Sequence, residues 1–221
     1  MTSVMLSKDA RLHLASALQK FVRWDSGSVV RLLTTDRALG IYADAPMGVL
    51  VFIAVPLAEP PEQTLDRPVS AHRLRDVLGE LASPADDPGP VPVRLPDARD
   101  MPPALAAIPS RDGWIPAEKA TAAEVATAVD TALDDLQRAT DAESDDASKR
   151  VVAERWWDTP SWGGMPLKAL HAAKSLGMLA HPGARIESAT RAGWKRLQSP
   201  AGQVFVAPPA SYAGIPLSVV K

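Results

Sequence analysis

The apolar positions of the N-terminal half change their period after the first helix. Leu14, Leu18 and Phe21 form a stripe with helical spacing, with Ser7 placed as the N-cap. Three strand-like runs follow at residues 29–34, 38–43 and 49–55, and they are separated by short polar connections. Short connections favour antiparallel neighbours. The pattern therefore predicts one helix packed against an antiparallel meander.

A second amphipathic helix is predicted after this meander. Ser70 is placed as its N-cap, and Leu74, Leu78 and Leu81 form its apolar face. Thirteen of the 21 prolines lie within residues 56–116. Proline interrupts regular elements, so we expect loops around short strands in much of this region.

The C-terminal half predicts three helices followed by strands. Thr121 and Glu124 form a capping box at the start of the first helix, and Gly177 is placed as the C-cap of the third. The predicted helices cover residues 121–139, about 151–157 and 166–176, and the predicted strands cover 185–190, 194–198 and 203–206.

These elements predict an α+β fold with two domains. Residues 1–116 would form an N-terminal helix plus antiparallel meander domain with Pro-rich loops, and residues 117–221 a three-helix plus β-hairpin domain. Residues 121–207 resemble a winged-helix domain in the order of their elements. In that resemblance the helix at 166–176 takes the place of the recognition helix, and the strands at 185–206 take the place of the wing.

Residues 28–82 resemble a second family, the sliding clamps. The strands contain the run Leu33-Thr34-Thr35-Asp36-Arg37-Ala38-Leu39-Gly40-Ile41 and lead into Val69-Ser70-Ala71-His72-Arg73-Leu74. Sliding-clamp repeats likewise run from strands into a helix of this character. The composition, rich in Ala, Arg, Asp and Pro and poor in Lys, resembles that of an uncharacterised actinobacterial protein family and implies no function.

Composition and charge narrow the classes of partner. The chain has no cysteine, which excludes disulfides, thiolate metal sites and cysteine nucleophiles. The N-terminus lacks the pattern of a secretion signal, and no apolar run reaches the roughly 20 residues of a membrane helix. We therefore expect a cytoplasmic protein with no membrane partner. The net charge of −2 is uneven, because residues 163–221 contain seven basic side chains and a single acidic one, Glu187. This asymmetry favours a polyanionic partner for that segment.

Motifs for catalysis are missing from the sequence. The glycine-rich phosphate loops, the HExxH metal motif and the GxSxG nucleophile motif do not occur, and the four histidines are scattered. We predict no catalytic residue, no metal and no cofactor.

Basic residues give the one positive functional signal. Lys168, His171 and Lys174 recur every three residues on the predicted helix, beside an apolar face. By the winged-helix resemblance they would face the major groove, and the basic residues of the strands would contact the backbone. The predicted nucleic-acid contacts are Lys168, His171, Lys174, Arg185, Arg191, Lys195 and Arg196, with Trp194 and Trp162 as aromatic contacts.

The sequence therefore predicts a non-enzymatic binding protein that contacts nucleic acid through its basic C-terminal helix and hairpin. The first alternative is a protein-interaction or structural module without nucleic-acid contact, which could self-associate through an edge of the meander or through the tryptophan-rich turn at residues 156–162. The second alternative is an enzyme with a site built from dispersed residues.

Overall fold

The computed structural model describes residues 2–81 and 89–208. Within these residues the strands are β1 Ser3–Leu6, β2 Val29–Thr34, β3 Ala38–Ala45, β4 Val49–Pro56, β5 Asp66–Ser70, β6 Val91–Arg94, β7 Ile115–Thr121, β8 Pro160–Trp162, β9 Met165–Pro166, β10 Arg185–Arg191, β11 Trp194–Ser199 and β12 Gly202–Val206. The helices are α1 Lys8–Trp24, α2 Ala71–Glu80, α3 Pro103–Ala106, α4 Ala122–Asp141, α5 Asp146–Asp158 and α6 Leu167–Ser175.

An eight-stranded antiparallel sheet runs through both halves of the chain. Its strand order is β5-β2-β3-β4-β12-β11-β10-β7. The predicted meander forms β2, β3 and β4, with Ala38 opposite Pro56 and Ala45 opposite Val49. At the centre of the sheet β4 pairs with β12, where Phe52 lies opposite Gln203. The N-terminal and C-terminal strands therefore share one sheet. Two small two-stranded sheets, β1–β6 and β8–β9, complete the fold.

Helices α1, α2, α4 and α6 cover one face of the large sheet. Side chains alternate between the faces of a strand, and Leu32, Ile41, Val51 and Val204 are fully buried on this face. They belong to one core cluster together with residues of all four helices. Each fully buried Leu or Ile side chain stabilises the fold by about 1.5–3 kcal/mol relative to an exposed one. The core therefore joins the two halves.

The helix ends follow the sequence closely. Ser7 and Ser70 accept hydrogen bonds at 3.3 Å from the backbone nitrogens three residues later. The backbone nitrogen of Thr121 donates to Glu124 Oε2 at 2.7 Å, which confirms the capping box. Gly177 follows α6 with φ +78°, as its predicted role requires. Local side-chain chemistry fixes these boundaries.

The connection between the two halves crosses the other face of the sheet, called here the outer face. We call residues 99–114 the strap. Its Leu105, in α3, is fully buried and belongs to a second, smaller apolar cluster with Tyr42, Leu50 and Phe205 of the sheet. The strap therefore packs on strands from both halves.

The winged-helix prediction is wrong. Strands β10, β11 and β12 do not form a wing beside three helices, because they continue the eight-stranded sheet from β4 to β7. Helix α6 packs on β12 and β4 and buries Leu167, Leu170 and Ala173. The predicted fold class, with its three-helix plus β-hairpin C-terminal domain, is wrong for the same reason. The division into residues 1–116 and 117–221 stays a prediction.

None of the helices in residues 2–81 and 89–208 combines the length and apolar character needed to cross a membrane.

Candidate functional site

A cavity of about 280 Å³, the strap pocket, lies on the outer face beside the strap. Both halves of the chain contribute to it. Strands β3 and β4 supply its floor, the strap supplies one wall, and β11 and β12 supply the other. The lining includes Leu33, Thr35, Gly40, Tyr42, Phe52, Pro109, Ser110, Arg111, Trp114, Arg196, Gln203 and Phe205.

Gly40 makes room for the floor of the strap pocket. The ring of Phe52, on the neighbouring strand, lies directly over it. A Cβ atom added to Gly40 would come within 2.7 Å of Phe52 Cε2. Phe52 also packs on Tyr42, with ring centroids 4.7 Å apart. A glycine inside an apolar strand thus provides the depth of the pocket.

Trp114 forms the wall on the side of the strap. Its indole Nε1 donates to the carbonyl oxygen of Ser110 at 2.9 Å, and its ring centroid lies 5.8 Å from that of Phe205. The preceding Gly113 has φ +78°, and the guanidinium of Arg191 lies against it. These contacts fix the orientation of the tryptophan.

Arg31 anchors the strap from below. Its Nη1 donates to the carbonyl oxygens of Leu105 at 2.7 Å and Ala106 at 3.1 Å. Its Nε and Nη2 donate to the two carboxylate oxygens of Asp66 at 2.8 and 2.7 Å. This bidentate pair raises the pKa of Arg31 and lowers that of Asp66. A charged side chain of β2 therefore holds the last two residues of α3.

Arg196 is the buried cation of the strap pocket. Its guanidinium carbon lies 4.7 Å from the centroid of the Trp114 ring, a cation–π arrangement. The side chain is 11% exposed and its nearest carboxylate, Glu187, is 3.7 Å away. Its Nε is buried without a hydrogen-bond partner among the described residues. Burial lowers the pKa of Arg196, and Glu187 opposes this shift.

The electrostatic character of the strap pocket is positive. Arg111 and Arg196 line it, and its described lining contains no Asp or Glu. Burial raises the pKa of Tyr42, and the charges of Arg111 and Arg31 oppose this shift, so the phenol is a neutral hydrogen-bonding group near pH 7. Across residues 2–81 and 89–208, no group of three or more His, Asp and Glu side chains is placed to hold a metal ion. The strap pocket is therefore suited to bind an apolar group that adjoins a hydrogen-bond acceptor.

The predicted basic stripe on α6 has partners within the chain. Lys168 Nζ lies 2.6 Å from Asp158 Oδ1, and Lys174 pairs with Asp130. His171 packs on the ring of Trp157, with centroids 5.3 Å apart. The stripe is therefore partly neutralised by the acidic helices beside it.

The remaining predicted contacts lie at several places. Lys195 Nζ donates to the carbonyl oxygen of Gly164 at 2.6 Å, and Arg185 is exposed at the start of β10. Trp162 is 9% exposed and belongs to the main core. Trp194 packs at the outer-face cluster, on the same face as Arg196. The structure thus brings Trp194 and Arg196 to the outer face and leaves the α6 residues on the opposite one. Nucleic-acid contact by these residues stays a prediction.

The sequence reasoning missed most of the strap pocket. Of its lining residues only Arg196 was predicted as a contact residue. Two signals were available in the sequence: Gly40 interrupts an apolar strand, and Trp114 stands in a polar, Pro-rich connection. Neither signal reveals which distant strands meet there.

Two family models match the sequence. Residues 2–96 match a domain of unknown function (DUF8010), and residues 109–211 match a domain of unknown function (DUF8185). No curated protein matches the sequence.

Solved structures of bacterial sliding clamps resemble this chain. A Pseudomonas aeruginosa DNA polymerase sliding clamp, solved with a ligand, has a TM-score of 0.56 and 10% identity over 95% of this chain and 65% of the clamp. The Caulobacter crescentus pol III beta has a TM-score of 0.57 and 13% identity over 93% of this chain and 64% of its own. The H. pylori beta clamp in complex with 5-chloroisatin has a TM-score of 0.53 and 10% identity over 93% of this chain and 62% of the clamp. The chain spans less than two thirds of each of these clamps.

These likenesses show a sliding-clamp-like fold. The resemblance of residues 28–82 to a sliding-clamp repeat is confirmed at this level. The DNA-binding character that was predicted from a winged helix loses its basis, because the strands and helix in question belong to the clamp-like sheet and its covering layer.

Proposed function

We propose that this protein is a non-enzymatic protein-interaction module that binds an apolar segment of a partner in the strap pocket. The observation that carries this proposal is the preformed cavity itself, which is built from two halves of the chain and held open by Gly40 and the strap. Cavities of this kind bind through apolar and aromatic walls with a few placed polar groups. Tyr42, Arg196 and Gln203 are such groups.

The fold likeness supports the same function. The Pseudomonas aeruginosa clamp is described as solved with a ligand, and the H. pylori clamp as in complex with 5-chloroisatin. Those ligands belong to those proteins. For this chain they support a scaffold that offers a binding surface, in agreement with the protein-interaction alternative.

A selection of random heptapeptides displayed on phage against the purified chain tests the proposal. We expect enriched peptides to share an apolar residue and to lose binding to Gly40→Ala, because the added methyl displaces Phe52 into the cavity. Gly79→Ala is the matched control, since a Cβ at this position of α2 meets nothing within 4 Å. Peptides that bind both variants equally, or no enrichment at all, would contradict the proposal.

Self-association through β7 is the second candidate function. One edge of the large sheet, β5, is covered at Pro68, whose carbonyl oxygen accepts from the backbone nitrogen of Arg99 at 2.9 Å. At the other edge, no described strand pairs with β7 besides β10, and Ile115 is 69% exposed. An unpaired edge strand is a template for a second copy.

Light scattering after size exclusion, over a wide range of concentrations, tests this candidate. We expect a mass that rises from monomer to dimer with concentration, and Ile115→Lys to suppress the rise because it puts a charge on the edge. A monomeric mass at every concentration would refute it.

A further inference from the structure

The strap pocket contains an unsatisfied cation. The guanidinium of Arg196 is held between the Trp114 ring and a distant Glu187, and its buried Nε has no hydrogen-bond partner among the described residues. A buried guanidinium without its full set of acceptors is costly. Arg196 also lines the cavity and is 11% exposed, so the accessible part of its guanidinium can pair with an acceptor that a ligand brings.

The neighbouring carboxylate does not complete it. Glu187 Oε2 lies 3.3 Å from Lys119 Nζ, while Oε1 lies 3.7 Å from Arg196 Nη2. One carboxylate is thus divided between two cations, and the longer of the two contacts belongs to Arg196. The second arginine of the lining, Arg111, is exposed at the rim, and the acidic residue next to it in the chain, Asp112, is not among the lining residues.

The apolar part of the strap pocket fits one large side chain. Its volume of about 280 Å³ exceeds the roughly 150 Å³ of an engineered cavity that binds benzene. Phe52, Trp114 and Phe205 offer ring faces and edges to such a group. The cations lie at the wall and rim of the same cavity, so an apolar group and an acidic group of one ligand can be bound together.

We propose that the partner segment is an acidic peptide in which an Asp or Glu residue adjoins a large apolar residue. The apolar side chain enters over Gly40 and Phe52, and the carboxylate pairs with Arg196 and Arg111. This inference rests on the proposed protein-interaction function and adds the chemistry of the partner. Charge complementarity carries it, because the cavity presents two arginines and no carboxylate.

Synthetic peptide pools test the inference directly. Each pool is an acetylated, amidated hexapeptide with Leu, Phe or Trp at a fixed position, randomised elsewhere, and with Asp, Asn or Lys fixed at the next position. Binding is measured by fluorescence anisotropy at physiological salt. We expect the Asp pools to bind the wild-type chain about tenfold more tightly than the Asn pools, as a charge-assisted hydrogen bond would give.

Variants of this chain test which arginine causes the preference for the Asp pools. Arg196→Gln should reduce the preference for Asp about threefold, the exposed Arg111→Gln should do the same, and the two substitutions together should abolish it. The second variant keeps the test decisive if the first fails to fold. Arg23→Gln is the matched control, since Arg23 is exposed on α1 at the other face of the sheet.

The outcomes separate the two proposals. Equal binding of Asp and Asn pools by the wild-type chain would overturn the acidic partner and leave the protein-interaction function standing. Binding of no pool would overturn both. A preference for Asp that survives Arg196→Gln and Arg111→Gln together would also overturn the inference, because the acid would then be bound elsewhere.

Discussion

Gly40 is the residue on which the depth of the strap pocket depends. Gly40→Ala places a methyl group 2.7 Å from the Phe52 ring, which must shift and disturb its packing on Tyr42. We expect a loss of about 1 kcal/mol in the free energy of unfolding from this overpacking. Urea denaturation measures it, and Gly79→Ala should instead stabilise the chain by about 0.5–1 kcal/mol because it is helical and unhindered. An unchanged midpoint for Gly40→Ala would show that the ring adjusts freely.

His171 gives the fold a dependence on pH. Burial lowers its pKa, and the charge of Lys174 lowers it further. The unfolded chain, whose histidine has a pKa of about 6.5, therefore binds a proton more readily than the folded chain. The contribution of neutral His171 to the free energy of unfolding is present above about pH 6.5 and is lost as the pH falls below that value.

Denaturation midpoints between pH 8 and 5 check this expectation. The denaturant midpoint of the wild-type chain should decrease as the pH is lowered below about 6.5. The midpoint of His171→Gln should decrease less steeply over the same range. Parallel curves for the two proteins would mean that His171 does not contribute. The contact of His171 with Trp157 gives a second readout, since the indole fluorescence should change as the ring becomes charged.

Arg31 of β2 adds hydrogen bonds to the apolar contacts that hold the strap on the sheet. Arg31→Lys keeps a positive charge but loses the planar fork that makes the bidentate pair with Asp66 together with the contacts to the carbonyl oxygens of Leu105 and Ala106. We expect a loss of about 1–3 kcal/mol, as for hydrogen bonds to a charged group. Hydrogen exchange by mass spectrometry should show faster exchange confined to the strap. Arg23→Lys is the control, and equal exchange in both variants would contradict the anchoring role.

At the scale of elements, the sequence predicted what is local. Strand β2 has its predicted bounds because it is a run of Val and Leu residues that polar connections limit, and α2 and α4 begin at their predicted caps. Strand β7 was not predicted, because Pro116, Glu118 and Lys119 make it polar and all but one of its residues are exposed. Its strand character depends on pairing with β10, which is a distant contact.

At the scale of the whole molecule, one core joins the two halves. Val204 of β12 is fully buried in the same cluster as residues of α1 and β3. Val204→Ala should therefore lower the free energy of unfolding by about 2 kcal/mol. The loss should affect the strands of both halves of the sheet equally. Native-state hydrogen exchange should show the same decrease for amides of β3 and of β11. A decrease limited to β10–β12 would mean that the halves unfold separately.

The fold and the strap pocket could not be derived whole from the sequence, for one physical reason. Periodicity shows which face of a strand is buried and not which strand lies beside it. The pairing of β4 with β12 was invisible, so β10–β12 were assigned to a wing. The pocket was missed for the same reason, because Gly40, Trp114 and Phe205 come from three separate parts of the chain.

The central position of β12 has a consequence for biosynthesis. Strand β4 is made early, and its partner, residues 202–206, emerges from the ribosome only after the strap, the helices α4 to α6 and β11. During that interval the edge of β4 that pairs with β12 is unpaired. The nascent chain can then pair with β12 of a neighbouring copy that is being made on the same messenger RNA. Such an exchange would preserve every contact of the sheet while joining two polypeptides, which makes strand-swapped dimers the misassembly to expect when this protein is produced at high concentration.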